Sequence, residues 1–205
     1  HVPDVPHNLH AFSPLVQRLL LSRGVTDAVD MEFKLNRLLP PSGLRGIEQG
    51  AELLSSAIEN NLSILIIGDF DADGATSTAL SVRCLRALGA KKVNYLVPNR
   101  FEYGYGLSPE IVRASLPFQP DLIVTVDNGI SSVEGVKEAA KHGIQVLVTD
   151  HHLAGDELPS AAAIVNPNQP GCDFQSKALA GVGVAFYVML AVRKVLREKG
   201  WFEKQ

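Results

Sequence analysis

Cysteine is scarce in this chain. Only Cys84 and Cys172 occur in 205 residues, far apart and without a Cys-x-x-Cys pair. That excludes a disulfide scaffold and a thiolate zinc centre, and it leads us to expect reduced thiols in a cytoplasmic protein. Positive charge is not in excess either: 19 Lys plus Arg against 22 Asp plus Glu give a net charge of −3. No global basic field draws in a polyanion, so nucleic acid must be bound through a local groove. Long apolar runs are missing as well. The longest, residues 182–192, stops at Arg193, whereas a membrane span takes about 20 residues. No basic segment followed by an apolar one opens the chain, so no secretory signal is expected. His1 stands where Met would, and the natural start is expected upstream. His1, His7 and His10 lack metal-ligand spacing and read as a loose lead-in.

What is present is apolar sequence in short, ordered pieces. Hydrophobic residues make up 46% of the chain, enough for one sizeable core. Residues 1–45 read as a helical extension. Its helices fall at 12–21, opened by Ser13-Pro14, and at 26–35, followed by a breaker at 39–43. From residue 46 to 205 the pattern changes. A helix over 47–60, with Ile47, Ala51, Leu54 and Ile58 on one face, precedes an alternation of strands and helices. Strands are predicted at 62–68, 93–97, 122–126, 144–149 and 161–165, and helices at 75–88, 108–115, 131–142 and 179–198. This alternation predicts an α/β fold, a doubly wound, mostly parallel sheet with helices on both faces.

Three of the strands stop abruptly at acidic or imidazole groups. Residues 62–68 run into Asp69-Phe70-Asp71-Ala72-Asp73-Gly74, residues 122–126 into Asp127-Asn128-Gly129, and residues 144–149 into Asp150-His151-His152. Ligands bind outside the carboxyl ends of strands in open α/β sheets, so these groups can converge in one crevice. Carboxylate oxygens and imidazoles without thiolate suit Mn²⁺ or Mg²⁺. Asp69 and Asp71 sit two apart and repel unless a cation lies between them. Asp73 either joins them or caps the helix that follows. Asp127 either only closes its strand at the turn or bridges two cations from the neighbouring strand. Asn128-Gly129 fits either a turn or a substrate contact. His151 and His152 are expected to face different ways and do different jobs, with Asp150 orienting an imidazole. Gly181-Val182-Gly183 opens the last helix and either approaches an anion or packs closely on the sheet. Arg100 and Tyr105 lie in a loop of cation, aromatics and glycines, a composition that suits single-strand backbone contact and base stacking.

Gly68–Gly74, Val126-Asp127-Asn128-Gly129 and Asp150-His151-His152, in this order and spacing, resemble the first three motifs of the DHH phosphoesterases. Gly181–Ala185 extends the match. Val97–Phe101, Gly104–Ser108 and Leu179–Phe186 narrow it to the branch of that superfamily that degrades single-stranded DNA from the 5′ end. The resemblance implies a metal-dependent nuclease with two cations, Mn²⁺ or alternatively Mg²⁺. Asp69, Asp71, Asp127 and His151 become its metal ligands, with Asp127 bridging. His152, Asp150 and Asp73 are assigned to catalysis, and Arg100, Tyr105, Asn128, Gly181 and Gly183 to substrate binding. It implies roles in repair and recombination, with single-stranded DNA as substrate and a single-strand-binding protein and a helicase as partners. Leu65 stands where many relatives outside this branch carry His. Proteins of this branch are much longer and supply another aspartate ligand and further modules. The chain is therefore expected to be an N-terminal portion, weak or inactive alone. Besides a non-catalytic interaction module, two rival readings remain at this point. One is a relative acting on small nucleotides. The other is a haloacid-dehalogenase-like phosphatase with Asp69 as nucleophile, a reading that gives Asp150-His151-His152 no role.

Overall fold

The computed structural model describes residues 7–32, 34–99 and 103–203. Arg100, expected to contact substrate, lies outside the described residues. The chain divides into two compact units, His1–Pro40 and Pro41–Gln205.

The first unit holds α1 (Pro14–Ser22), with Ser13 as its cap residue and Pro14 at the first turn. The helix expected over 26–35 does not form. Two single-turn 3₁₀ helices, Ala28–Met31 and Leu35–Arg37, stand there instead. The Asp27 side chain accepts from the Val29 amide at 2.8 Å, a local turn that competes with helix propagation. Lys34 is extended and ends any continuity.

The second unit begins with α2 (Ile47–Glu59), whose Ile47, Ala51, Leu54 and Ile58 are buried as their spacing predicts. Then follow β1 (Ile64–Ile67), α3 (Ala72–Ala87), β2 (Val93–Leu96), α4 (Pro109–Ser115), β3 (Leu122–Val126), α5 (Val133–Lys141), β4 (Gln145–Thr149), β5 (Ala163–Val165) and α6 (Gly181–Glu198). All four strand pairings are parallel and the order is β2-β1-β3-β4-β5. The chain winds outward from β1 to β2, crosses back to β3 and continues the other way. The switch point therefore lies between β1 and β3, where open α/β sheets form their crevice. Every residue of β1 and β3 is buried, which explains why both read as unbroken apolar runs rather than alternating ones.

Alternate strand residues serve opposite faces. Leu65, Ile67, Ile123, Val146 and Val148 form one core with Ile111 and Val112 of α4 and Val136 and Ala139 of α5. On the other face α6 packs against both α2 and α3. The α5 contact is close. A Cβ at Gly135 would run into the backbone carbonyl of Leu107. Replacing a helical Gly by Ala ordinarily gains about 1 kcal/mol. Overpacking against backbone that cannot yield costs roughly 1–3 kcal/mol. Gly135→Ala is therefore expected to lower stability by up to about 2 kcal/mol, read as a lower denaturation midpoint at unchanged slope. A more stable variant would mean that Leu107 moves away at no cost.

Candidate metal centre

The three predicted strand ends meet on one side of the sheet. Oxygens of Asp69, Asp71 and Asp127 lie within 4.8 Å of one another, and so do ligand atoms of Asp127, His151 and His152. Asp127 belongs to both groups. It is 1% exposed and follows β3 in a left-handed conformation, φ 62°. Asp tolerates this region, but a strained residue at a strand end commonly marks a functional position. Asp127 Oδ1 is buried without a hydrogen-bond partner, and His151 Nε2 stands 3.1 Å from it. An orphaned buried carboxylate oxygen amid acids and imidazoles is costly unless a cation completes it. The donor set thus fits Mn²⁺ or Mg²⁺. Burial first, then the Asp73 and Asp71 charges, push the Asp127 carboxyl up to about 7.

Asp71, not Asp73, caps α3. Its Oδ1 accepts from the Gly74 amide at 2.9 Å, so the helix starts at Ala72 rather than at 75. Asp73 instead reaches across the fold to the N-terminus of α6. Its oxygens accept from the Gly181 amide at 2.8 Å and the Val182 amide at 2.7 Å. The expected anion at that helix N-terminus is therefore the protein's own carboxylate, and the Gly181 amide is not open to substrate. A Cβ at Gly183 would lie 2.5 Å from Leu179 Cδ1, so Gly183 serves close packing.

Asp150 spends its oxygens inside the protein. It accepts from the Ile130 amide at 2.9 Å, the His151 amide at 2.7 Å, the His152 amide at 3.2 Å and His152 Nδ1 at 2.7 Å. It fixes the His152 ring and the backbone of the His pair. The two imidazoles do not point apart as expected. Their centroids are 4.6 Å apart with planes tilted by 59°. Their partners differ nonetheless: His151 faces Asp127 and Asp73, His152 faces Asp150 and Tyr105. Burial pulls the His152 imidazole down, but the Asp150 hydrogen bond and the Asp150, Asp127 and Asp69 charges outweigh it, and the ring is raised. The Tyr105 hydroxyl donates to the Asp127 carbonyl at 3.2 Å and lies 3.2 Å from His152 Nδ1. Burial, then the surrounding carboxylates with Asp150 foremost, raise its phenol above the ordinary value.

Asn128, expected to bind substrate, is turned into the protein. It is 1% exposed, and its Nδ2 donates to the Ile67 carbonyl at 3.1 Å and the Val126 carbonyl at 2.9 Å. It ties β1 to β3 at the switch point. Two residues went unnoticed in the sequence. Asn166 Nδ2 donates to the His152 carbonyl at 3.0 Å, and Asn168 Nδ2 to the His151 carbonyl at 2.6 Å. Both stand just after β5, so the strand-end rule pointed at them, but they carry no charge to draw notice.

Residues 63–204 match the DHH family, N-terminal domain. The chain is 55% identical over 202 residues to the single-stranded-DNA-specific exonuclease RecJ of Escherichia coli (strain K12), an overlap of 98% of this chain and 34% of that protein. It is 40% identical over 189 residues to RecJ of Bacillus subtilis (strain 168), covering 90% of this chain and 24% of that protein. The chain thus spans about a third or less of the length of these relatives. The fold resembles the crystal structure of RecJ in complex with Mn²⁺ from Thermus thermophilus, with a TM-score of 0.72 and 35% identity over 91% of this chain and 26% of that one. It also resembles a crystal structure of exonuclease RecJ bound to manganese, with a TM-score of 0.69 and 40% identity over 77% of this chain and 39% of that one. The haloacid-dehalogenase reading falls, because the family match takes in the Asp150-His151-His152 segment that it left without a role. With its three motif segments gathered at one switch point, the chain belongs to the DHH family.

Proposed function

We propose that this chain carries the metal-dependent hydrolytic centre of a 5′→3′ exonuclease acting on single-stranded DNA. The observation that carries the reading is the buried Asp127 shared between two ligand groups at the switch point of a DHH-family domain. The likeness to RecJ exonucleases and to manganese-bound RecJ structures supports the substrate and the metal. Asp69, Asp71, Asp127 and His151 would hold the cations, with Asp127 shared. Two divalent cations bound there, Mn²⁺ or Mg²⁺, supply an acidified water and charge for the entering and leaving oxygens. His152, held by Asp150, keeps a donor or acceptor at the rim where the scissile phosphate arrives. Tyr105, half exposed, borders a cavity of about 340 Å³ shared with Gly129, Ser131, Ser132 and His152. That space suits a terminal nucleotide, with the phenol ring offering a stacking surface. Among the described residues no helix is long and apolar enough to cross a membrane. This reading places the protein in the cytoplasm, with a single-strand-binding protein and a helicase as partners.

The test is digestion of end-labelled single strands and matching duplexes by the full-length protein in Mn²⁺, Mg²⁺ and EDTA. Mononucleotides released from the 5′ end of the single strand, only when metal is present, are expected. Turnover that survives EDTA, or duplex degraded as fast as single strand, overturns the reading. Preference for a small dinucleotide over a long strand moves it to a small-nucleotide phosphoesterase.

A further inference from the structure

The sheet lets go of the chain at Asp150, whose amide donates to the Val165 carbonyl at 3.1 Å. His151 and His152 follow outside any strand or helix. Side chains hold their backbone instead. Asp150 Oδ1 accepts from the two amides, at 2.7 and 3.2 Å. The two carbonyls are taken from the other side. Asn168 Nδ2 donates to that of His151 at 2.6 Å and Asn166 Nδ2 to that of His152 at 3.0 Å. The turn that carries these two Asn side chains is braced independently of the His pair. Asn166 Oδ1 accepts from the Asn168 backbone amide at 2.7 Å, an Asx turn. Gln169 Nε2 donates to the Ile164 carbonyl at 2.9 Å and the Arg45 carbonyl at 3.1 Å. The Lys177 ammonium spans the loop, donating to the Pro167 and Cys172 carbonyls at 2.6 and 2.7 Å. Asn166 and Gln169 are buried, so water competes little for their bonds.

We infer that Asn166 and Asn168 are positioning residues: the turn after β5 clamps the carbonyls of His152 and His151 and so sets where both imidazoles stand against Asp127. The inference rests on the metal-dependent reading above and adds to it two neutral residues that act through the His backbone. A metal site needs its ligands oriented as well as present, and groups that orient them are worth roughly 10–100-fold in metal affinity. The His152 ring is held by Asp150 as well. The His151 ring faces Asp127 and Asp73, so its direction depends more on its own backbone. The shorter of the two clamp bonds, from Asn168, falls on that residue.

The experiment compares Asn168→Ala and Gln169→Ala with the parent, all in the full-length protein, by Mn²⁺ titration calorimetry and by amide hydrogen exchange without metal. A His151→Ala variant identifies the binding event that needs the His pair. Asn168→Ala keeps the backbone amide that closes the turn and removes only the bonds of the side chain. It is expected to weaken the His151-dependent event about tenfold or more and to leave the other event within about threefold of the parent. Exchange at the His151 and His152 amides is expected to quicken. Gln169→Ala loosens the same turn away from the His pair. It is expected to lower the melting temperature while both binding events stay within about threefold of the parent. Parent-like Mn²⁺ binding in Asn168→Ala overturns the clamp. So does a Gln169→Ala variant that weakens the His151-dependent event as much as Asn168→Ala, because the turn then matters only as structure. A parent protein with no His151-dependent event overturns the metal reading instead, and exchange at the two His amides in Asn168→Ala then still decides whether the turn holds the His pair.

Discussion

Replacing Asp127 by Asn in the full-length protein is expected to abolish metal-dependent cleavage of single-stranded DNA, by roughly 10³-fold or more, while making the metal-free protein more stable. The first effect follows from the position of the residue in both ligand groups. Its loss disturbs both cation sites at once, and charge stabilisation by metals is worth several kcal/mol, each 1.36 kcal/mol being about tenfold in rate. The second effect has the opposite sign because the carboxylate is buried, its Oδ1 has no hydrogen-bond partner, and other acids surround it. Replacing a buried carboxylate crowded by other acids with an isosteric amide is expected to gain about 1–2 kcal/mol, a rise in melting temperature of about 2–8 °C in a protein of this size. Near-parent turnover in Mn²⁺ contradicts the shared role. A fall in metal-free melting temperature contradicts the electrostatic account.

The second large effect is on the pH dependence of metal binding. Burial and the neighbouring Asp73 and Asp71 push the Asp127 carboxyl up to about 7, from an ordinary value of about 3.9. An acid raised in this way holds its proton more tightly in the folded state than in the unfolded one. Its contribution to stability is therefore full below about pH 4, declines as the pH rises toward about 7 and is constant beyond. Metal requires the ionised form, so protons compete with it below about pH 7. Mn²⁺ affinity is expected to rise about tenfold per pH unit from about pH 5.5 to 7 and then level off, while the metal-free melting temperature falls over the same range. Titration calorimetry at several pH values reads the first and thermal denaturation the second. In Asp127→Asn both slopes flatten. A flat Mn²⁺ profile in the parent protein sinks the assignment of Asp127 as a ligand that must shed a raised proton.

How much of this was legible in the sequence depended on whether a signal was local. The β1, β3 and β4 ends were plain, because each is a short β-branched run broken at a single step by Asp. The parallel sheet and the convergence at its carboxyl ends followed from the alternation of elements. Cap assignment was harder. Asp69, Asp71 and Asp73 are equivalent as letters, and only the backbone at Asp71, extended and accepting from Gly74, makes it the α3 cap. The partner of Asp73 is a helix start more than a hundred residues away, which no local pattern announces. Asn128-Gly129 fits either a turn or a substrate contact by its letters alone. The Asn128 donors are consumed by carbonyls of two strands, a pairing that exists only once β1 and β3 lie side by side. Over residues 26–35 the apolar pattern promised a helix, but the Asp27 turn and extended Lys34 decided otherwise.

The proposed role of Asp127, a carboxylate common to two groups of potential ligands at the β1–β3 switch point, stands at the centre of all this. Anomalous diffraction at the manganese edge from crystals grown with Mn²⁺ tests that role most directly. Two peaks are expected, both in contact with Asp127, one beside Asp69 and Asp71 and the other beside the His pair. A single peak away from Asp127, or two peaks that leave its carboxylate outside both coordination shells, contradicts it.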